Sequence, residues 1–331
     1  MSNKSLLAFG TVIVVVIAIL AALFLKDRVA PGSAPDELSK VSLGLSWVHQ
    51  AQFSGEYYAD QNGLFREAGI DITLIPASID KDPIEDLVSG RIDFVIGQPD
   101  SLIIAYSRGA KIKAIAATHR IHPMVLSSLP DEGITIPADL VGKTVGVAYS
   151  EELILKAMLK NQGIDVDDVS IVKRDYNFTN LVSGKLDVQA AWITDEIQRA
   201  KRDGLELYNI LPSDYGVHFY ADLILTTEEL IRENPQLVQR FLTAILHGWR
   251  KVISNPKEFA KLTLHYDSRL DLEHEINVLE SSIPLIHTGE RSIGWMKRED
   301  WVNMYQTMVD QGIISTVFDP EELYTMQFLE K

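Results

Sequence analysis

The alternation of hydrophobic and polar positions after residue 40 predicts strands and helices in regular turn. Residues 41–47 read VSLGLSW, an alternation typical of a strand with one buried face. Residues 54–68 show helical spacing, and residues 71–75 make a second short strand. The same order continues with a helix over 80–88, a strand over 92–96, a helix over 101–108 and a strand over 113–118. This order predicts an α/β architecture in which helices cover a mainly parallel sheet.

One eight-residue phrase occurs twice, as LVSGRIDF at 87–94 and LVSGKLDV at 181–188. In each copy an apolar helical turn meets Ser-Gly, and Gly can adopt the left-handed conformation that ends a helix before a strand begins. The tripeptide Gly-Ile-Asp precedes both copies at the same distance, at 69–71 and 163–165. We therefore predict two similar α/β units. Two copies are too few for a solenoid, so we expect two lobes with a ligand site in the crevice between them.

We predict that three segments after residue 40 build the two lobes. Residues 41–125 supply the first lobe. Residues 126–220 supply the second lobe, which begins with a crossing and a loop over 126–137 and then repeats the strand and helix order. Residues 221–331 begin with a strand and are then nearly all helical, with an amphipathic stretch over 237–252. A helical tail needs a sheet to cover, so we expect this last segment to return to the first lobe.

The N-terminus carries a membrane signal. The run from Leu6 to Leu25 is 20 residues long and uncharged, and at about 1.5 Å per residue such a helix spans the roughly 30 Å hydrocarbon layer. We predict an uncleaved transmembrane anchor over 1–25, followed by a flexible linker over 26–40. The alternative is a cleaved secretory peptide, although its apolar part is usually about 7 to 15 residues long. In both cases we expect the body to be exported, so that the protein belongs to the cell envelope.

Composition disfavours several classes of function. The chain has no Cys, which excludes disulfides, thiolate metal sites and cysteine nucleophiles. Its eight His residues show no HxH or HxxxH spacing, so no metal site is predicted. The formal net charge is −15, and since no Lys/Arg cluster reverses that field, nucleic acid is not an expected partner. The sequence has neither a GxSxG motif nor a phosphate-binding glycine loop, which disfavours a hydrolase or a transferase.

The segment LGLSWVHQAQFSGEYYADQNGLF at 43–65 resembles the start of periplasmic binding proteins for the thiamine pyrimidine precursor. GKTVGVAYSEE at 142–152, LVSGKLDVQAAWITDE at 181–196 and the segment at 221–256 are similar to the same family in order and spacing. The resemblance covers nearly everything after residue 40. It implies the two-lobed type II periplasmic-binding-protein fold, no cofactor, and the role of substrate-binding component of an ABC importer, with a permease and its ATPase as partners.

The resemblance leaves the ligand open. The wider superfamily includes binding proteins for riboflavin, sulfonates and nitrate, while Trp47, Trp192 and Glu196 favour a flat heteroaromatic ligand within it. A similar fungal enzyme that makes the pyrimidine depends on a Cys-rich motif, which this chain lacks, so we do not expect an enzyme. The ligand-binding ectodomain of a sensor is a further alternative. Our first expectation is an aminopyrimidine over which the two lobes close.

Candidate ligand contacts in the first lobe follow its strands, because ligands of open α/β sheets lie beyond the carboxyl ends of the strands. Trp47 ends the first strand, where an indole can stack on a flat ring, although a core Trp fits the same position. A polar loop comes next along the chain. Tyr57 fits packing as well as recognition, and Asp100 equally fits a helix cap. The candidates are Trp47, His49, Gln50, Gln52, Tyr57, Gln98 and Asp100.

The second lobe supplies a matching set of candidates. Trp192, Asp195 and Glu196 follow the strand of the second repeated phrase and so correspond to the loop that begins at Gln98. A carboxylate there can accept a charge-assisted bond from a pyrimidine N–H, or it can stabilise a solvated helix start. Ser150 lies at a helix start that presents free N–H groups, where it also fits a cap. The candidates are Ser150, Tyr176, Trp192, Asp195, Glu196 and Tyr220.

Overall fold

The computed structural model describes residues 37–77 and 83–329. The predicted anchor over 1–25 and residues 26–36 of the predicted linker over 26–40 lie outside these described residues. Within them, no helix combines the length and the apolar character that crossing a membrane requires. The described residues from 39 onward form one unit by their contacts.

The described residues form two five-stranded sheets of the same topology. The strand order is β2-β1-β3-β10-β4 in the first sheet and β7-β6-β8-β5-β9 in the second. We name each sheet with its covering helices the first lobe and the second lobe. The strands are β1 Ser39–Gly44, β2 Ile70–Ile75, β3 Phe94–Gly97, β4 Ile112–Ala117, β5 Met124–Ser128, β6 Thr144–Val147, β7 Ser170–Lys173, β8 Val188–Trp192, β9 Tyr208–Ile210 and β10 Leu223–Thr227.

Each sheet is mixed rather than mainly parallel. In the first sheet β1 pairs parallel with β2 and β3, whereas β10 pairs antiparallel with β3 and β4. The second sheet repeats this arrangement, with β5 as its antiparallel strand. The two antiparallel strands are the first that the chain forms after it crosses from one lobe to the other. The predicted loop over 126–137 is wrong at its start, because Met124–Ser128 is a fully buried strand.

The helices cover the sheets on both lobes. The predicted helix over 54–68 is divided in two, because Gly63 between the halves has a φ of +77° that ends the first helix. The helices are α1 Ser54–Gln61, α2 Leu64–Glu67, α3 Pro83–Val88, α4 Pro99–Ser107, α5 Tyr149–Asn161, α6 Thr179–Val182, α7 Glu196–Arg202, α8 Glu228–Glu233, α9 Pro235–Ser254, α10 Pro256–Phe259, α11 Leu272–Ile286 and α12 Arg298–Asp310. Short 3-10 helices occur at Ala51–Phe53, Pro130–Glu132, Pro137–Leu140, Val166–Asp168, Pro212–Tyr215, Ala260–His265 and Pro320–Leu323.

The repeated phrase makes the same turn in both lobes. Its glycines, Gly90 and Gly184, have φ values of +73° and +70° and end α3 and α6. Its aspartates, Asp93 and Asp187, then accept a hydrogen bond from the main-chain N–H of the neighbouring strand, at 2.8 Å in the first lobe and 2.7 Å in the second. The prediction of two similar units agrees with the shared topology of the two sheets, and the Gly and the Asp of the phrase have the same structural role in both.

The segment after β10 covers the first sheet through α9. Phe241 stacks on Phe94 of β3 with ring centroids 3.7 Å apart. The helix also packs closely on α1, since a Cβ on Gly248 would meet the carbonyl oxygen of Gly55 at 2.1 Å. The end of the segment reaches the second lobe as well, where Asp310 of α12 pairs with Lys160 of α5 at 2.5 Å. The helical tail therefore contacts both lobes.

Candidate functional site

The buried carboxylate of Asp222 lies where the strand ends of the first lobe converge. The loops after β1, β3 and β4 carry Ser46, Gln98 and His119, and Asp222 lies directly before β10. Because β10 runs antiparallel to its neighbours, its start lies at the same sheet edge as the ends of β3 and β4. We name Ser46, Gln52, Gln98, His119 and Asp222 the first-lobe cluster.

Asp222 accepts hydrogen bonds from most of this cluster. Its Oδ1 accepts from Ser46 Oγ at 3.0 Å and from Gln98 Nε2 at 3.4 Å. Its Oδ2 accepts from Gln52 Nε2 at 2.9 Å and lies 3.2 Å from His119 Nδ1. Asp222 is only 2% exposed. Since a carboxylate only accepts hydrogen bonds, it holds the NH₂ groups of both glutamine side chains towards itself.

The loop after β1 presents an indole to solvent. Trp47 is 49% exposed, and its carbonyl oxygen accepts a hydrogen bond from the main chain of Ala77 at 3.0 Å. Farther along the loop, Gln50 Nε2 donates to Gln52 Oε1 at 2.5 Å. The main-chain N–H of Ala51 donates to Glu275 Oε2 of α11 at 2.6 Å. The loop is therefore fixed at several points while its indole stays free.

An aromatic stack lies behind this loop. His49 Nδ1 is 2.9 Å from the hydroxyl of Tyr57, and Tyr57 stacks on Tyr266 with centroids 4.1 Å apart. Burial lowers the pKa of His49, and the charge of Asp267 opposes that shift. Tyr57 has no exposed surface, so the structure corrects its assignment as a ligand contact: the ring supports His49 instead.

Asp100 lies in the first turn of α4 and is partly exposed. Burial raises the pKa of its carboxyl group, and the main-chain N–H of Ser101 opposes that shift. Gln98 takes the N-cap position but makes no side-chain cap bond. Both residues therefore lie at the strand-end edge of the first lobe, and their contact with a ligand stays a prediction.

The strand ends of the second lobe meet around a buried guanidinium. Arg174, Glu151 and Glu196 follow β7, β6 and β8. Arg174 Nη2 lies 2.6 Å from Glu151 Oε1, and its Nη1 lies 2.5 Å from Glu196 Oε1. Burial acts to lower the pKa of Arg174, but its bonds to the two carboxylates raise it above the ordinary value. We name Glu151, Arg174, Tyr176, Trp192 and Glu196 the second-lobe cluster.

Both carboxylate oxygens of Glu196 already accept hydrogen bonds from other groups of the protein. Besides its bonds to Arg174, its Oε2 accepts from the main-chain N–H of Trp192 at 2.9 Å. Burial raises the pKa of Glu196, while Arg174 acts in the opposite direction. The structure therefore corrects the expectation of a free carboxylate that reads the ligand: Glu196 anchors the loop that carries Trp192. The indole of Trp192 is partly exposed. It packs edge-on against the ring of His122, with ring centroids 5.4 Å apart.

Two other second-lobe candidates, Tyr176 and Ser150, have exposed side chains. Tyr176 is 68% exposed, and its ring covers the guanidinium of Arg174 at 4.8 Å. Ser150 is exposed in the first turn of α5, where the carboxylate of Glu151 accepts from the main-chain N–H of Ala148 and so takes the capping role. Both side chains remain available at the strand-end edge.

Tyr220 is not available to a ligand. It is 1% exposed, and its hydroxyl bonds to Asp300 Oδ2 at 3.0 Å and accepts from the N–H of Lys297 at 2.7 Å. Its ring packs edge-on against Trp301 with centroids 5.7 Å apart. The structure therefore corrects this assignment: Tyr220 joins the second crossing between the lobes to α12.

The two sets of strand ends meet at the first turn of α11. His274 Nε2 lies 2.8 Å from Asp195 Oδ1 of the second lobe, while the adjacent Glu275 holds the loop of the first lobe through Ala51. One helical turn thus links the loop of Trp47 to the loop of Trp192. Asp195 also pairs with Arg199, so its predicted role as a free acceptor for the ligand is corrected to a contact between lobes.

Sequence reasoning missed His122, which lies between the clusters. Burial lowers its pKa to about 4, and the charges of Glu151 and Asp222 oppose that shift. The imidazole is therefore neutral at ordinary pH, and because its Nδ1 accepts from the N–H of Met124 at 3.2 Å, its hydrogen is on Nε2. The polar string THRIHP at 118–123, directly after β4, was the available signal. Within the described ranges, no three His, Asp or Glu side chains are grouped to hold a metal ion.

Comparison with solved structures defines the class of fold. The periplasmic aliphatic sulphonate binding protein SsuA from Escherichia coli superposes with a TM-score of 0.69 at 16% identity, over 86% of this chain and 91% of that chain. The protein thus has the two-lobed periplasmic-binding-protein fold, as predicted. Residues 50–259 match the family described as NMT1/THI5 like. The chain belongs to this family.

Three relatives carry different names. The formylaminopyrimidine-binding protein of Halalkalibacterium halodurans is 27% identical over 323 residues, which cover 91% of this chain and 97% of the relative. The riboflavin-binding protein RibY of Chloroflexus aurantiacus is 24% identical, covering 91% and 88%. A protein of Legionella pneumophila named 4-amino-5-hydroxymethyl-2-methylpyrimidine phosphate synthase is 22% identical, covering 88% and 92%. The resemblance to a family of substrate-binding proteins is confirmed.

Proposed function

We propose that this protein is the substrate-binding component of an ABC importer and that it binds an aminopyrimidine precursor of thiamine between its lobes. One observation carries the proposal. The first turn of α11 fixes the loop of Trp47 through Glu275 and the loop of Trp192 through His274. Two partly exposed indoles therefore belong to strand-end loops that meet at one point, where a flat ring can stack on them.

The charges of the two clusters support a neutral or cationic ligand. Arg174 is already paired with two carboxylates, so the second-lobe cluster contains one more acid than base. The first-lobe cluster is built around the carboxylate of Asp222. A sulfonate or nitrate ion would therefore meet repulsion from both sides, whereas an aminopyrimidine brings N–H donors.

Ligand binding would work through closure of the lobes. A ring held by both strand-end loops favours the closed arrangement over an open one, and only such differential contact can shift that equilibrium. A permease with its ATPase would read the closed state. The apolar run over 6–25 and the periplasmic relative support an exported body, tethered at the cell envelope by its N-terminus.

Two other ligands and two other roles compete with this proposal. The relative named RibY favours riboflavin, and the fold shared with SsuA favours a sulfonate. A sensor ectodomain would bind the same ligand, and a neighbouring kinase gene in place of permease and ATPase genes would favour it. The relative from Legionella pneumophila favours an enzyme. Against the enzyme, the Cys-rich motif of the fungal pyrimidine-making enzyme has no counterpart in a chain without Cys.

Calorimetric titration of the full chain tests the ligand class. We expect 4-amino-5-hydroxymethyl-2-methylpyrimidine to bind and to remain chemically unchanged, while riboflavin and an alkanesulfonate give no heat. Trp47→Ala is expected to weaken binding at least about tenfold, because stacking adds to the loss of buried area. Tyr208→Ala is the matched control, since Tyr208 is 47% exposed and lies on β9 away from both clusters. Tight binding of riboflavin alone, or turnover of the pyrimidine, would replace the proposal.

A further inference from the structure

Three side chains of the first-lobe cluster donate hydrogen bonds to one carboxylate, and Gln52 Nε2 also lies 3.3 Å from Ser46 Oγ. Asp222 receives three side-chain donors, from Ser46, Gln52 and Gln98. We propose that Asp222 is a positioning residue that fixes the orientation of the glutamine amides and thereby makes the first lobe present carbonyl oxygens to the ligand. This inference rests on the proposed function and names the residue that sets its selectivity for N–H donors.

Gln98 shows the effect directly. Its Nε2 points at Asp222 Oδ1, so its Oε1 lies on the other side of the planar amide. Gln98 is partly exposed and directly follows β3 at the strand-end edge. Among the described residues, no hydrogen bond is made to this oxygen. The oxygen of Gln98 is therefore the free acceptor of this side chain.

Gln52 passes the same orientation to Gln50. Gln52 donates to Asp222 through Nε2, which turns its Oε1 towards the loop. That oxygen accepts from Nε2 of Gln50, so the amide of Gln50 is oriented in turn. Its Oε1 then faces away from Gln52. The carboxylate of Asp222, at one end of this series of hydrogen bonds, thus determines which atom the partly exposed amide of Gln50 presents at the other end.

The orientation is enforced because the reverse arrangement is unfavourable. If either amide were turned over, its carbonyl oxygen would face a buried carboxylate, and two acceptors cannot share a hydrogen bond. Asn at position 222 would remove this constraint, since its side chain has an NH₂ group that donates besides a carbonyl oxygen that accepts. Its NH₂ group would then need an acceptor, which Gln98 or Gln52 can supply by turning its amide over, besides Ser46 Oγ and His119 Nδ1, which lie 3.0 Å and 3.2 Å from the carboxylate oxygens of Asp222. Turning either amide would present a donor to the ligand.

The test compares two ligands that differ at one group. The first is 4-amino-5-hydroxymethyl-2-methylpyrimidine, and the second is its 4-oxo counterpart, which carries a carbonyl in place of the amino group. We expect the unmodified protein to prefer the amino compound by at least about a hundredfold, because a site built around N–H donors leaves its acceptors unpaired with the oxo compound. Asp222→Asn is expected to reduce that preference to below about tenfold.

The ratio of the two dissociation constants separates positioning from mere stability. A structural role for Asp222 would weaken both ligands alike and leave the ratio unchanged, and that result in a folded variant overturns the inference. Asp300→Asn is the control, because Asp300 is a partly buried carboxylate bound by Tyr220 outside the cluster. Gln98→Met keeps Asp222 intact, and we expect it to lower the ratio as well. If the unmodified protein binds neither pyrimidine, the proposed function has failed and not only this inference.

Discussion

The two strand-end clusters occupy equivalent places in two sheets of the same topology, yet the charge at their centres is opposite: negative in the first lobe and positive in the second. The first-lobe cluster surrounds one carboxylate, that of Asp222, with neutral donors and a His ring. The second-lobe cluster surrounds one guanidinium, that of Arg174, with two carboxylates. The fold repeat therefore determines where polar groups converge, while the individual residues determine what chemistry they present.

The difference has a functional consequence. A network of amides can present acceptors or donors, depending on how each side chain is oriented, which suits the recognition of a hydrogen-bonding edge. A buried Arg between two carboxylates is already satisfied, so it suits the fixing of a loop. We therefore propose that the first lobe mainly recognises the ligand's hydrogen-bonding edge and that the second lobe mainly supplies an aromatic platform, formed by Tyr176 and Trp192.

The largest expected effect comes from removing the cation of the second-lobe cluster. Arg174→Met should lower the free energy of unfolding by about 3 to 5 kcal/mol near pH 7, because two buried carboxylates lose their partner. Denaturant unfolding measures this. The loss should shrink as the pH falls, since burial already raises the pKa of Glu196 and protonation removes its charge. The control is Lys173→Met, which changes an exposed neighbour on β7; equal losses in both variants would contradict the account.

The next effect concerns a buried acid beneath the first-lobe cluster. Burial raises the pKa of Glu56 from 4.5 to about 8, with Trp249 donating to its Oε1 at 3.2 Å. Between these values the folded state binds more protons at Glu56 than the unfolded state. The contribution of Glu56 to stability is therefore fully present below the unfolded value and is lost as the pH rises towards about 8.

Glu56→Gln tests this dependence. In the unmodified protein, Glu56 should lower the free energy of unfolding by at most about 1.4 kcal/mol per pH unit across that window. The Gln variant should lack this part of the slope, because its amide does not titrate. Glu273→Gln, an exposed change on α11, should leave the slope intact. Identical pH profiles for the unmodified protein and Glu56→Gln would show that Glu56 is ionised in the folded state.

A smaller effect is expected where the clusters meet. His274→Ala removes the contact between α11 and Asp195 and should weaken ligand binding by about threefold to tenfold, as the closed arrangement loses about 1 kcal/mol. Small-angle scattering should show a larger mean radius without ligand and the same radius at saturation. Glu273→Ala alters the same helical turn without this contact. An unchanged affinity in His274→Ala would mean that the pair does not stabilise closure.

The smallest effect belongs to the platform of the second lobe. Tyr176→Leu removes an aromatic ring from the face of Arg174 and should cost about 0.5 to 1 kcal/mol of stability, the range for an exposed cation–π contact. Thermal unfolding detects such a change. Tyr149→Leu, on a 79% exposed residue of α5, is the control. A loss above about 2 kcal/mol would mean that the ring seals the buried charges from water.

The two lobes were predictable because their signals are local. Gly90 and Gly184 mark helix ends within a few residues, and the aspartates that follow them bond to the adjacent strand. The strand β5 was missed for a local reason as well. MVLSS at 124–128 is short and buried throughout, so it lacks the alternation that indicates a half-exposed strand. This strand also follows directly after the crossing between the lobes, where the sequence predicted a loop.

The centres of both clusters were missed because their partners are distant in sequence. Asp222 bonds to Ser46 across 176 positions, and nothing beside it in the chain indicates a buried carboxylate. Arg174 lies between Lys173 and Asp175, which are both exposed, and so has the sequence context of a solvated loop. The sequence pointed to the loops after β1, β3, β6 and β8 but not to the loop after β4, which carries His119. The pairing of charges depends on contacts between strands.

A crystal structure of the protein with 4-amino-5-hydroxymethyl-2-methylpyrimidine tests the central claim most directly. We predict one pyrimidine ring between the loops of Trp47 and Trp192, with its amino group bonded to the side-chain oxygen of Gln98. The contact between His274 and Asp195 should be retained in that complex. A ligand seated elsewhere, or bound to only one lobe with both indoles free, would contradict the account.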